Sequence, residues 1–148
     1  MWITRAGTHG LIWIVLAIAV AAWRRSVLPF VLTVIAVLVA DGLAGIVKSI
    51  VGEKRPTERN SLVTIPHSHS FPSGHTATAV AGAIVLSSFA PRLAPLFAVL
   101  AAAVAYSRVY VGVHFPLDIV GGAAIGAVTA LLLLATVRRL SERRRRRG

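Results

Sequence analysis

Long apolar stretches, each close to the length of a bilayer crossing and separated by short polar breaks, limit this chain to one kind of fold. A spanning helix needs about 20 mostly apolar residues to traverse a hydrocarbon layer of about 30 Å, where no backbone polar group can be left unpaired. Segments from Val27 to Val51, His75 to Ala90, Leu93 to Val111 and Leu117 to Val137 meet that demand. A fifth, Gly10 to Trp23, is shorter, and Ala6 to His9 extend it by a turn. Arg24-Arg25 follow it where a cleavable leader would carry small residues, so it reads as a retained anchor. The expectation is an all-α, polytopic membrane helix bundle of about five transmembrane helices, forming one domain over residues 1–148 with a basic tail over 138–148. A content of 56% hydrophobic residues and a mean hydropathy of +0.77 lie outside the range of soluble domains.

Charge adds orientation. The net charge of +11 invites a nucleic-acid reading, but ten of the sixteen basic residues are Arg24, Arg25, Arg92 and the arginines from Arg138 to Arg147. All of these fall at one end of the expected bundle. By the positive-inside bias that end is cytoplasmic, with Arg5 the dissenting charge, and the chain is placed as a multi-pass protein of the cell membrane with a cytoplasmic C-terminus and no nucleic-acid partner. The arginine tail is read as a retention signal that is also attracted to anionic membrane lipids. There is no cysteine, which excludes disulfides and thiolate metal sites.

Three short runs carry the chemistry: K-x6-R-P from Lys48 to Pro56, P-S-G-H from Pro72 to His75, and S-R-x5-H-x3-D from Ser107 to Asp118. The first two lie between the second and third spans and the third between the fourth and fifth. Two crossings separate them, so both loops open on the same side of the membrane, opposite the arginines. Lys48, Arg55 and Arg108 could each be a snorkelling anchor, but together they supply fixed donors suited to phosphate oxygens. Phosphoryl transfer asks mainly for positioning and charge stabilisation. Ser73 is placed to cap a helix whose first amides form an anion site, and Gly74 lets the backbone approach closely. Asp118, four residues after His114, can orient that imidazole, which makes His114 the candidate nucleophile. His75 is the candidate acid and base toward the leaving oxygen and water. The bland alternative is that both histidines are structural polar groups.

In order and spacing the three runs resemble the type 2 phosphatidic acid phosphatase superfamily over Lys48 to Asp118. The resemblance implies a phosphatase that uses no metal and no cofactor. It implies that Lys48, Arg55, Ser73, Gly74 and Arg108 bind phosphate, and that His114, His75 and Asp118 are catalytic through a phosphohistidine. Membrane members commonly have six spans, so five implies an abbreviated N-terminal part. The small size resembles bacterial undecaprenyl-diphosphatases. The expected reaction is therefore hydrolysis of a lipid phosphate, foremost a polyprenyl diphosphate to its monophosphate, with phosphatidic acid, phosphatidylglycerol phosphate or a phosphorylated prenyl sugar as alternatives. A reading of another class is a non-catalytic lipid or anion transporter, which would need only the cations.

Residues outside the motifs have plainer readings. Asp41 lies seven residues before Lys48 on nearly the same helical face and is read as a charge partner that holds Lys48 or a polar contact facing the bundle, in preference to direct chemistry. His67 and His69 are read as loop residues at the headgroup entrance, and Glu53, Lys54, Glu58 and Arg59 as a solvated face. Gly122 and Gly126 make a small-x3-small pattern, read as packing within the bundle in preference to a dimer face.

Overall fold

The apolar runs fold into helices whose ends are set by local chemistry. A computed structural model describes residues 3–55 and 68–146. Its helices are α1 (Ile3–Arg24), α2 (Leu28–Val51), α3 (Gly74–Phe89), α4 (Ala94–Tyr110), which is preceded by a 3₁₀ turn at Pro91–Leu93, and α5 (Pro116–Arg145). Proline stands in the first turn of α2, α4 and α5, where its missing N–H costs nothing. Gly52 ends α2 in the left-handed region, at φ +67°, and its N–H donates to the Lys48 carbonyl. His67, Glu58 and Arg59 lie outside the described residues.

α3 is the axis of the bundle. It packs against all four other helices, and between its two ends it is buried except for the strip Val80, Ile84 and Ser87; Gly74 and His75 at its start and Ser88 and Phe89 at its end are partly or fully exposed. Its neighbours meet it through small residues, the means by which helices associate in a solvent as apolar as themselves. Ala36, Ala40 and Ala44 form a stripe on α2 against Ala77, Ala81 and Val85. Trp13, Ala17 and Val20 of α1 pack with Ala79, Ala83, Leu86 and Phe97. On α5, Gly122 and Gly126 lie against the α3 backbone: a Cβ on either would come within 2.3 Å of the carbonyl oxygens of Ser73 and Ala77 respectively. The small-residue pattern therefore serves packing inside the bundle. Large apolar side chains such as Val15, Leu38, Val99 and Leu132 point outward, as a lipid-facing surface requires.

Five helices stand where about five were expected, and among the described residues α2, α4 with its 3₁₀ turn, and α5 are each long and apolar enough on their own to cross a membrane, while the apolar stretches Gly10–Arg24 and Gly74–Phe89 are shorter. At 16 residues α3 is about 24 Å long, and it can be short because its neighbours enclose it. The last helix does not stop at Val137 but runs to Arg145, since arginine, leucine and glutamate sustain a helix after the apolar pattern ends. α4 and α5 scarcely touch each other. Between them and α3 lies an apolar groove of about 480 Å³, lined by Thr76, Val80, Ile84, Ala101, Ala105 and Ile119.

Candidate active site

Four chain segments converge at one end of the bundle, beginning with the last turn of α2. There the Lys48 ammonium donates to the carbonyls of His69 (3.2 Å) and Ser70 (3.3 Å). Beyond Gly52 the chain turns back, and the Ser70 N–H donates to the Glu53 carbonyl at 2.8 Å. From Ser70 the chain leads through a cis Phe71–Pro72 peptide to Ser73. Ser73 caps α3, its hydroxyl oxygen accepting from the N–H and the hydroxyl of Thr76. The Ser73 N–H donates to the Asp118 carbonyl at 2.9 Å, which ties the start of α3 to the start of α5. Gly74 and the half-buried His75 form the first turn of α3, at the positive end of the helix.

The fourth segment follows α4. Gly112, at φ +74°, makes a turn that a residue with a side chain would strain, and the turn sets His114 against α5. His114 is 3% exposed and Asp118 fully buried. The His114 Nδ1–H donates to Asp118 Oδ2 at 3.0 Å. The same oxygen accepts from the Phe115 N–H at 2.8 Å and from the Ser70 hydroxyl.

Arg55 approaches the other side of the imidazole. Its Nη1 donates to the Val113 carbonyl at 2.7 Å and lies 3.3 Å from His114 Nε2. A guanidinium has no acceptor, so Nε2 must present its lone pair. The carboxylate at Nδ1 and the guanidinium at Nε2 thus select the same tautomer. Burial pushes the His114 pKa down to about 4, with the Arg55 and Lys48 charges adding and the Asp118 hydrogen bond opposing. The imidazole is neutral at pH 7, with the lone pair on the nitrogen that faces the cations.

The cations are engaged to different degrees. Arg55 also donates from Nε to the Ser68 carbonyl (2.8 Å) and from Nη2 to the Ser68 hydroxyl (3.0 Å), so it laces the two ends of its own loop to the turn before α5. Burial lowers its pKa, with Asp118 opposing. Arg108 is half-buried, and among the described residues its side chain makes one hydrogen bond, from Nε to the Ser107 hydroxyl at 3.0 Å. Its two terminal nitrogens remain available to an anion.

Asp41 has two plain readings, a charge partner of Lys48 or a polar contact facing the bundle. Among the described residues no ion pair joins Asp41 to Lys48, and the lysine is held by carbonyls instead. Asp41 lies beside the start of α3, its Oδ1 3.3 Å from where a Cβ on Gly74 would stand. Seven residues of α2, about 10 Å, separate Asp41 from Lys48. The start of α3 is therefore recessed below the end of α2. Among the remaining loop residues, His69 and Lys54 are exposed and Glu53 is partly so.

Sequence reasoning missed Ser68 and Ser70. Ser70 is fully buried and stands two residues before the quoted P-S-G-H run, in a loop where serine is ordinary. Its only signal was proximity to the motif.

The family profile described as the PAP2 superfamily matches residues 11–142. The chain is 30% identical over 126 residues to an undecaprenyl-diphosphatase of Sulfolobus acidocaldarius, covering 82% of this chain and 61% of the relative. It is 34% identical over 131 residues to a decaprenylphosphoryl-5-phosphoribose phosphatase of Mycobacterium tuberculosis, covering 86% and 72%. It spans about three fifths of the length of two of the curated relatives it matches. Among solved structures, a transmembrane PAP2 type phosphatidylglycerolphosphate phosphatase from Bacillus subtilis superposes with a TM-score of 0.68 at 24% identity, over 86% of this chain and 68% of that one.

Proposed function

The chain belongs to the PAP2 superfamily and is a multi-pass membrane protein, and from that premise we propose that it is a lipid phosphatase working through a phosphohistidine at His114. The observation that carries the proposal is the neutral, buried imidazole whose Nε2 lone pair is held toward a cluster of cations. A group meant only to bind an anion has no use for an imidazole held unprotonated by a buried carboxylate.

The steps follow from the groups present. The substrate phosphate settles among Lys48, Arg108 and the first-turn amides of α3, and draws the Arg55 guanidinium away from Nε2. The Nε2 lone pair then attacks phosphorus in line as the bond to the leaving oxygen breaks, and His75 gives that oxygen a proton. Asp118 holds the imidazole that has gained positive charge, as the carboxylate of a hydrolytic triad does. Water next attacks phosphorus, its proton passing to His75. The P–N bond breaks, inorganic phosphate leaves and His114 is neutral again.

The substrate is amphiphilic. The apolar groove begins at Thr76 and Ile119, each next to a site residue, so a hydrocarbon chain can stay in the bilayer while its phosphate enters. Similarity to the Sulfolobus undecaprenyl-diphosphatase favours a polyprenyl diphosphate, and similarity to the mycobacterial phosphatase favours a prenylphosphoryl sugar as the second reading. The site faces the extracytoplasmic side of the cell membrane and the C-terminal arginines face the cytoplasm, as the positive-inside bias directs.

The test is phosphate release by purified protein in detergent with chelator present, using both lipid classes, together with trapping of labelled phosphate by an alkaline detergent quench. The expected result is an acid-labile, base-stable label on the native chain that is absent from His114→Ala. Equal phosphate release by the two proteins refutes His114 as the nucleophile, and none by either refutes the enzymatic reading and leaves a binding or transport protein.

A further inference from the structure

Ser70 belongs to none of the three motifs, yet its polar groups touch two of them, the first at two points. Its carbonyl accepts from Lys48, its N–H donates to the Glu53 carbonyl, and its hydroxyl donates to Asp118 Oδ2, across 48 positions of sequence. It is fully buried in a loop where most serines would be solvated. Asp118 directs everything through one atom: Oδ2 takes the His114 Nδ1–H, the Phe115 N–H and the Ser70 hydroxyl, whereas Oδ1 is buried with no partner among the described residues. The His114 and Phe115 bonds are local to α5 and the turn before it. Ser70 alone brings a donor from the phosphate-binding side.

We propose that Ser70 is a positioning residue for His114, fixing the orientation of Asp118 and coupling the placement of the nucleophile to that of Lys48. The inference rests on the reading of His114 as nucleophile. Without the Ser70 hydroxyl the buried carboxylate keeps two of its three donors and is free to rotate about its Cβ–Cγ bond. The imidazole then loses its single orientation. A carboxylate with fewer donors is also a stronger partner for a protonated imidazole, so the tendency of His114 to take a proton rises. The charged groups facing His114 are Asp118 from α5, Lys48 from α2 and Arg55 from the loop after α2, and this substitution removes none of them.

The experiment compares native protein with Ser70→Ala and Ser70→Cys in detergent, reading kcat and KM across pH, the thermal midpoint, and ¹⁵N shifts of the His114 ring. In Ser70→Ala kcat is expected to fall about tenfold, as loss of one hydrogen bond to a charged group implies, with KM within about twofold. The acid limb of kcat/KM moves to higher pH, and the ring nitrogens show a mixture of tautomers. Ser70→Cys, which keeps a weak donor, falls between. The proposal is overturned if Ser70→Ala keeps native kcat and acid limb, or if it loses activity only in step with a lowered thermal midpoint while acid limb and ring shifts stay native. The ¹⁵N arm needs no turnover. A native chain that releases no phosphate would refute the phosphatase reading and still leave the positioning claim to be judged from the ring shifts.

Discussion

The contact of Gly122 with Ser73 gives a test in which geometry sets the size of the effect. In Gly122→Ala the new Cβ would lie 2.3 Å from the Ser73 oxygen and 3.1 Å from the Thr76 Cβ. Ordinary carbon–oxygen contact needs about 3.3 Å, so α5 and α3 must part by about 1 Å. The obstacle is backbone, which cannot rotate away, and overpacking of this kind costs about 3 kcal/mol, the upper part of its usual range. Ser73 also donates to the Asp118 carbonyl at 2.9 Å, so the displacement falls within the site, where about 1 Å costs about a hundredfold in rate. Gly126→Ala meets the Ala77 oxygen at the same 2.3 Å but about one turn farther from the site. The two variants should lose similar stability, and Gly122→Ala should lose much more of its kcat/KM. Gly42, with nothing within 4 Å of its would-be Cβ, is the control, and Gly42→Ala should be neutral or stabilising by up to about 1 kcal/mol. Thermal unfolding in detergent and phosphate release read both quantities. Native stability in Gly122→Ala and Gly126→Ala, with a change only in oligomeric state, would refute the assignment of this seam to the bundle interior.

Other expectations follow from the same geometry. Asp118→Asn replaces a three-fold acceptor with a group that cannot take every donor, so kcat should fall about a hundredfold or more with little change in KM; a loss confined to KM would contradict the orienting role. Arg108→Ala should chiefly weaken substrate binding, whereas Arg55→Ala should lower stability as well, because Arg55 ties two loops together; steady-state kinetics beside thermal midpoints separate the two. The depressed pKa of His114 also fixes a sign. Between its ordinary 6.5 and about 4 the unfolded chain binds more protons at this residue than the folded one. Its contribution to stability is therefore whole above pH 6.5 and is lost as pH falls toward 4; midpoints of native protein and His114→Ala at pH 7 and pH 5 measure it, and parallel behaviour of the two proteins would refute it.

How much of this was legible follows from the range of the interactions. Helix positions were readable because apolar runs, prolines at first turns and the glycine after α2 are local signals. The clustering of Lys48, Ser73, Arg108 and His114 at one end followed from counting crossings. Asp41 was left between two readings because spacing of seven residues puts two side chains on one helical face but is silent about the neighbouring helix that each meets. Ser70 was invisible because what marks it is burial against a carboxylate far along the chain, and a serine's own neighbours carry no trace of that. The extent of α3 was legible to within one residue at each end. What the sequence could not convey was that this helix sits inside a jacket of the other four.

That jacket has a consequence for water. A helix facing lipid and about 6 Å shorter than the hydrocarbon layer would force the bilayer to thin around it. α3 meets lipid only along a narrow strip, so its deficit is taken up inside the protein, as a depression whose floor is the first turn carrying Gly74 and His75 and whose rim is the end of α2. The hydrolytic co-substrate can descend from the aqueous phase into that depression while the hydrocarbon chain arrives sideways, and the two meet without either entering the other's medium.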